Sequence, residues 1–386
     1  MDWPTIPMEQ QDHRRFRPPF CPWPPCRNHN PSPQRPFRFH RHGVFMRPLD
    51  RRPVPRFRCL ACLRTFSLQS FAFSYYLKLP HLSVPIAALL QAGSAHRQIA
   101  RSLGCSPHTV TRRAARLGRH AVLLSALALD ELPSLSDRTV VVDHFESFAY
   151  SQDFPFGLAT AVGQDSWYIY TLDPAPHRRS GRSSRKPHPA SLRQPRGTYR
   201  RSFRRVLDLL LAHAPPPRRL RLVTDGHPAY LHAVAHHPRR DRVRHRSFPN
   251  PPRGPKGSPR SRDARRRDDQ MFPVDLLHKL IRHSSAHHRR ETIAFGRRLN
   301  ALLERAFLLT VWRNFIKTRS ERRGGEPTPA MAIGLAARPW SWQRVLARRL
   351  FPTRLRPPSS WMKVYRRGWI TPPLPRNAPH QLRHAY

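Results

Sequence analysis

The sequence predicts an α/β protein built on a mixed sheet. Three apolar runs follow one another, TVVVD at 139–143, FGLATAV at 156–162 and WYIYTL at 167–172, with GQDS as a hairpin turn between the last two. From there helix and strand periods alternate: an amphipathic helix around 199–213, a strand closing at Asp225, a short helix through 229–236, and VRHRSF at 243–248 as a further strand. Two of these strands finish in a carboxylate, Asp143 and Asp225, in a chain that holds 70 Lys+Arg against 23 Asp+Glu.

That imbalance bounds the partners. A net charge of +47 repels itself unless a polyanion neutralises it, and nucleic acid is the usual one, although a GC-rich genome also enriches arginine and proline. No apolar run reaches the ~20 residues of a membrane span. The beginning MDWPTIPMEQQDHRR lacks the basic start and apolar stretch of a secretory signal, so the five cysteines are expected reduced, in the cytoplasm and free to bind metal.

In chain order, residues 1–55 are rich in Pro, Arg and aromatics without a period and read as loop, within an N-terminal unit ending near residue 75. CPWPPC and FRCLACLRTF bring two cysteine pairs, Cys21 with Cys26 and Cys59 with Cys62, and such pairs suit a tetrahedral S4 zinc site of ribbon type. Four unrelated thiols is the plainer alternative. Cys105 stands alone and reads as a small buried residue.

Residues 76–132 read as helical. In SAHRQIARSLGCSPHTVTRRAARLG, Ile99, Ala100 and Leu103 share a face, Gly104 breaks the helix, and Ser106 and Pro107 restart it as N-cap and first residue. This is a helix-turn-helix pattern, or an ordinary helical hairpin. Val110, Ala114 and Leu117 are expected inward, and His108, Thr109, Thr111, Arg112 and Arg113 outward toward a major groove.

The sheet region spans 136–320. Asp143 and Asp225 on neighbouring strands would repel unless a hard divalent cation lay between them; each alone could instead cap a turn. Glu146 reads as peripheral. The basic loops at 177–201 and 250–267 suit a phosphate backbone or a solvated tail, and helices are expected at 274–286 and about 289–317. Residues 321–386 read as a basic, Pro-rich tail.

Taken in order, these motifs resemble the DDE-type transposases of the insertion-sequence-one superfamily: a zinc ribbon (CPWPPC, FRCLACLRTF), a helix-turn-helix (RQIARSLGCSPHTVTRR) and a ribonuclease-H-like catalytic domain. The likeness covers about residues 20–320, and VVVDHFESF, LVTDGHPAY and ETIAFGRRLNALLERAF are its most specific pieces. It implies a bacterial, nucleoid-associated protein that acts as a homo-oligomer on DNA, binds the ends of its element and a target, and uses Mg²⁺ or Mn²⁺ for cleavage and strand transfer. A nuclease of the same scaffold and an inactive DNA-binding regulator are the alternatives.

The third acid departs from the family's glutamate. Asp275, Glu291 and Glu304 are the candidates. Asp275 lies opposite the apolar face of Leu276, Leu277, Leu280 and Ile281, beside His278, Lys279 and Arg282, and the resemblance places an acid about fifteen residues before ETIAF, where Asp275 stands. Glu291 borders the stripe of Phe295, Leu299, Leu302 and Ala306, and Glu304 is expected solvated.

Overall fold

The computed structural model describes residues 3–4, 12, 14–48, 50–178, 188–252, 255, 257–289 and 292–374. Its first unit is a small antiparallel sheet of β1 (Phe39–Met46), β2 (Pro53–Cys59) and β3 (Thr65–Ser67). The expectation of loop through residue 55 is corrected here. In β1 nearly every residue is exposed, so no buried face imposed a period of two on FHRHGVFM. Its pairing with β2 slips between Arg41 and Val44, around Gly43 at φ +79°. Phe16, Phe20, Phe57, Leu68 and Phe71 form the unit's core, and Phe351 from far along the chain completes it.

Three helices follow, α1 (Ser83–Gln91), α2 (His96–Ser102) and α3 (Pro107–Asp130). The break falls at Gly104, with φ +58°, and α3 restarts with the Ser106 hydroxyl accepting from the His108 amide. Val110, Ala114 and Leu117 are buried as expected.

The larger sheet contains β4 (Thr139–Phe148), β5 (Pro155–Gly163), β6 (Ile169–Pro176), β7 (Leu220–Thr224) and β8 (Val243–Ser247), in the order β6-β5-β4-β7-β8. The first three strands form an antiparallel meander, and β7 joins β4 in parallel through α4 (Thr198–Ala212). α5 (Pro228–Ala235) then leads to β8, which runs parallel to β7. Successive residues of β4 meet different layers: His144 lies against Tyr199 of α4 and stacks on Tyr230 of α5, while Phe145 meets His278 of α6 (Arg262–Ser284). A sheet covered on both faces explains why every residue of β5 after Pro155 is buried.

Two helix boundaries differ from expectation. α6 begins at Arg262 rather than 274, because the stretch RDARRRDDQMF, too polar to show an apolar period, is capped by the Ser261 hydroxyl. α7 (Leu299–Val311) begins ten residues later than expected, after irregular chain at 292–298. Here α3 and α7 cross so closely that a Cβ on Gly118 would stand 2.4 Å from the Cβ of Glu304.

The reading of 321–386 as a tail is also corrected. Residues up to 374 fold as α8 (Pro329–Ala332), α9 (Trp342–Val345), α10 (Ser359–Tyr365) and connecting chain. Trp340, Trp361, Val364 and Tyr365 are buried, and Trp361 Nε1 donates to the Leu172 carbonyl of β6 at 3.0 Å. One hydrophobic core runs through α1–α3, the large sheet, α7 and this segment, crossing the boundaries expected near 132–136 and 320. Among the described residues no helix is long and apolar enough to cross a membrane.

Candidate functional site

Asp143 and Asp225 meet at the seam between β4 and β7. Thr139, Val140 and Val141 pair with Arg221, Leu222 and Val223, and two further residues along the same register bring Asp143 opposite Asp225. Asp225 follows the last strand residue as expected, whereas Asp143 lies inside β4, which continues to Phe148. The turn after Asp225 is specified locally. Gly226 takes φ +80°, Asp225 Oδ1 accepts from the His227 amide at 3.0 Å, and the His227 ring caps α5 ahead of Pro228.

That turn aims Tyr230 back at the first acid. Its hydroxyl donates to Asp143 Oδ1 at 3.2 Å and lies 2.6 Å from His144 Nδ1, so VVVDHFESF and LVTDGHPAY interlock through one phenol. Burial, and next the charge of Asp225, push the Asp143 carboxyl up to about 7 against the hydrogen bonds of the His144 amide and Tyr230; Asp275 adds to the rise. Three acids therefore share one electrostatic neighbourhood.

Asp275 projects from α6, and its two oxygens are held by the Arg267 guanidinium two turns earlier on the same helix, one of the contacts at 3.2 Å. His278, one turn beyond, reaches Asp143: its Nδ1 stands 3.8 Å from Asp143 Oδ2, and its Nε2 lies 3.0 Å from the Thr160 hydroxyl. Thr160 donates to the Asp143 carbonyl, so Nε2–H of His278 donates to Thr160 and Nδ1 keeps a lone pair toward the carboxylate. Burial, then Arg282 and Arg267, hold this imidazole neutral, with a pKa of about 3. Sequence reasoning named His278 only as a neighbour of Asp275, counted Arg267 only within the basic loop 250–267, and gave Tyr230 no role. The readable signal was spacing: Tyr230 falls five residues after Asp225, and His278 one helical turn after Asp275.

The other third-acid candidates separate clearly. Glu291 lies outside the described residues. Glu304, expected solvated, is 1% exposed, with Arg367 Nε at 3.1 Å and Arg119 at 3.9 Å from its Oε1. Its carboxylate is spent on Arg119 of α3 and Arg367, and its Cβ packs against Gly118. Asp173 and Asp137 are buried too, but Arg205 grips the first, and the second accepts from Tyr170, two backbone amides and Ser166. These acids are spent on structure. Asp143 faces a tyrosine, a neutral histidine and other carboxylates instead.

The four cysteines are positioned to bind a metal ion, and among the described residues no other group of three or more His, Cys, Asp or Glu brings its ligand atoms within 4.8 Å of one another. The contacts cross between the two pairs: Cys21 Sγ to Cys62 Sγ and Cys26 Sγ to Cys59 Sγ are each 3.7 Å. A tetrahedral ion with bonds of about 2.3 Å to sulfur needs S···S edges of about 3.8 Å, far beyond the ~2.05 Å of a disulfide. Burial raises the Cys59 thiol, but amide hydrogen bonds at Cys62 and Ala61 and the Asn28 side chain outweigh it and leave it at about 7; burial pushes Cys21 up. Asn28 thus donates to two sulfurs, through its amide to Cys26 and its side chain to Cys59.

On α3, His108, Thr111 and Arg112 are exposed and Thr109 is half-buried. Arg113 is corrected: it is buried, donating to the Ser83 hydroxyl at 2.7 Å and the Leu79 carbonyl at 2.9 Å, and it ties α3 to α1 instead of facing outward. Of the basic loops, 179–187, 253–254 and 256 lie outside the described residues, and 262–267 belong to α6. No family model, no curated protein and no solved structure matches this chain.

Proposed function

We propose that the protein is a DDE-type transposase, cutting and joining DNA by metal-dependent phosphoryl transfer in a ribonuclease-H-like domain. The observation that carries the reading is the approach of Asp143, within β4, to Asp225, just past the end of the parallel strand β7, with Asp275 within electrostatic reach. The β-β-β-α-β-α order of β4 to α5 supports the fold.

The donor set suits Mg²⁺ or Mn²⁺: hard carboxylate oxygens gathered where burial and mutual repulsion penalise the charge of Asp143. The cation would polarise the phosphodiester and help ionise the attacking water or 3′-hydroxyl. Asp143 and Asp225 would hold it, Tyr230 fixes the Asp143 carboxylate, and Asp275 joins once its hydrogen bonds to Arg267 give way to phosphate. The protein needs no nucleophile of its own. The cysteine cluster fits zinc, holding the N-terminal unit in place as a ribbon.

His108, Thr109, Thr111 and Arg112 would contact the element's ends, with the protein acting as a homo-oligomer on DNA in the bacterial cytoplasm. Incubating the full chain with Mg²⁺ and DNA carrying the ends of the element that encodes it tests the reading. Cleaved ends joined to a second DNA are expected; cleavage without joining identifies a nuclease, and binding without cleavage a regulator.

A further inference from the structure

Away from the carboxylates, a cleft of about 1130 Å³ opens between α3, the chain at 73–79, the approach to α7 at 294–298 and the C-terminal stretch 349–367. Among the described residues its lining holds nine arginines and one lysine and no acid. The chain's ratio of 70 basic to 23 acidic residues would put two or three acids among ten charges, so the cleft is enriched even for this protein.

Its cations are not spread on open surface. Burial, and then repulsion from Arg349, Arg113 and Arg119, bring Arg116 down to about 9, and burial brings Arg305 down to about 10. Arg305 itself donates to the rings of His96 and His287. Glu304, which is not part of the lining, offsets Arg119, Arg367 and Arg305, three of the nine arginines. Gathering guanidiniums around a concavity costs folding energy, and an anion in the concavity would offset it.

The lining also offers flat apolar surface. Tyr76 is 65% exposed, on a backbone at φ +58° that a tyrosine rarely adopts, and Phe295 is 40% exposed. Exposed rings beside guanidiniums suit stacked bases with phosphates between them. An acidic peptide offers no flat face to such rings. Volume favours a single strand inside the cleft: small-ligand sites reach about 1,000 Å³, and a B-form duplex, whose major groove alone is about 12 Å wide, cannot be enclosed in a space of that order. The lining includes His108, Thr109, Thr111 and Arg112, so the strand would continue from the face proposed to contact the element's ends.

We propose that this cleft binds a short single-stranded stretch of nucleic acid, its phosphodiesters against Arg116, Arg119, Arg297 and Arg349 and its bases against Tyr76 and Phe295. The inference rests on the reading that the protein acts on DNA, yet the two fail separately. Strand binding here requires no divalent cation and no carboxylate.

The test is fluorescence anisotropy on the full chain without divalent metal, using labelled dT10, a 20-bp duplex of random sequence and polyglutamate as competitor. The expected result is dT10 binding that weakens with salt by about 0.7 log units per neutralised phosphate for each tenfold rise in salt. Arg297→Gln and Tyr76→Ala should each weaken it about tenfold, while Arg138→Gln, outside the cleft lining, leaves it unchanged. Arg297 and Tyr76 are exposed, so these variants test binding without removing a core residue. Any of these results would overturn the proposal: unchanged dT10 binding in both cleft variants, duplex binding with equal strength and equal sensitivity to them, or displacement of dT10 by polyglutamate at matched charge. Displacement by inorganic phosphate beyond that by chloride at matched ionic strength would reduce the cleft to a small-anion site and also overturn it. Active strand transfer with no dT10 binding would discard the cleft and keep the transposase; dT10 binding with no cleavage would do the reverse.

Discussion

The cysteine cluster and the carboxylate cluster gather their groups to different degrees. The four sulfurs already stand at tetrahedral spacing, 3.7 Å along two edges, whereas the three aspartates converge without reaching mutual contact, and Arg267 holds one of them. The difference is one of charge. Thiols can share their protons and approach one another as neutral groups, but carboxylates brought together in a buried place must take up a proton, borrow an arginine or bind a cation. The protein uses the first two devices, in the rise of Asp143 to about 7 and in the Arg267–Asp275 pair. A preassembled site would suit a permanently held ion, and on the proposed reading the half-assembled one would complete itself when the substrate's own charge arrives.

The largest expected effect lies at the thiols. Structural zinc supplies on the order of 10 kcal/mol or more of folding free energy, so Cys59→Ser or strong chelation should unfold residues 14–75. Hydrogen exchange should then rise in that unit and around Phe351, with zinc falling from one per chain to none. Intact protection after complete zinc removal would break the contrast.

At the carboxylates the fold should survive and the chemistry should not. Asp225→Asn is expected to lower cleavage about a thousandfold, some 4 kcal/mol of barrier, with an unchanged melting temperature and DNA affinity. Cleavage at the wild-type rate would remove Asp225 from the site.

Glu304 supplies the control, an acid buried for structure. Burial holds its folded pKa at about 7 despite Arg367 and Arg119, above its unfolded value near 4.5. Between those two values the folded chain keeps a proton that the unfolded chain has lost, so this group's contribution to stability falls as pH rises from about 4.5 to 7, by at most about 3 kcal/mol. Glu304→Gln should flatten that slope in melting curves taken across the window. A difference between wild type and variant that stays constant with pH would contradict it.

The smallest effect sharpens the comparison most. Arg267→Gln frees Asp275, so the melting-temperature gain on adding Mg²⁺ should correspond to an affinity a few-fold tighter, about 1 kcal/mol. An unchanged gain would mean that Asp275 does not serve the metal.

What could be read from the sequence followed its periodicities and close spacings. The meander of β4 to β6 showed because strand periods are bounded by turn residues, and α3 because Ser106 and Pro107 mark a helix start. The cysteines, Asp143 and Asp225 stood out as scarce groups at telling positions. β1 was lost because neither of its faces is buried, and the first turns of α6 because they bury too little to be periodic. Arg113 and Glu304 were misplaced for another reason. Each is buried by partners distant in sequence, Ser83 and Leu79 for the first and Arg367 for the second, and a local pattern counts a charged residue as exposed. The C-terminal stretch was misread because its anchors, Trp340, Trp361 and Tyr365, sit in short helices and irregular chain among prolines and arginines, too brief to set up a period.

That stretch also closes the chain on its own beginning. Phe351 fills the core of the cysteine unit, Thr353 meets His29 at 2.8 Å, and Arg354 donates to the His29 carbonyl. A ribosome working at about 5–20 residues per second delivers Phe351 roughly 15–60 s after Cys62. For that interval the unit is complete in its ligands and incomplete in its packing. An ion at the four thiols would then work as a placeholder during synthesis, keeping an open hydrophobic seat in shape until this later-made stretch arrives to fill it.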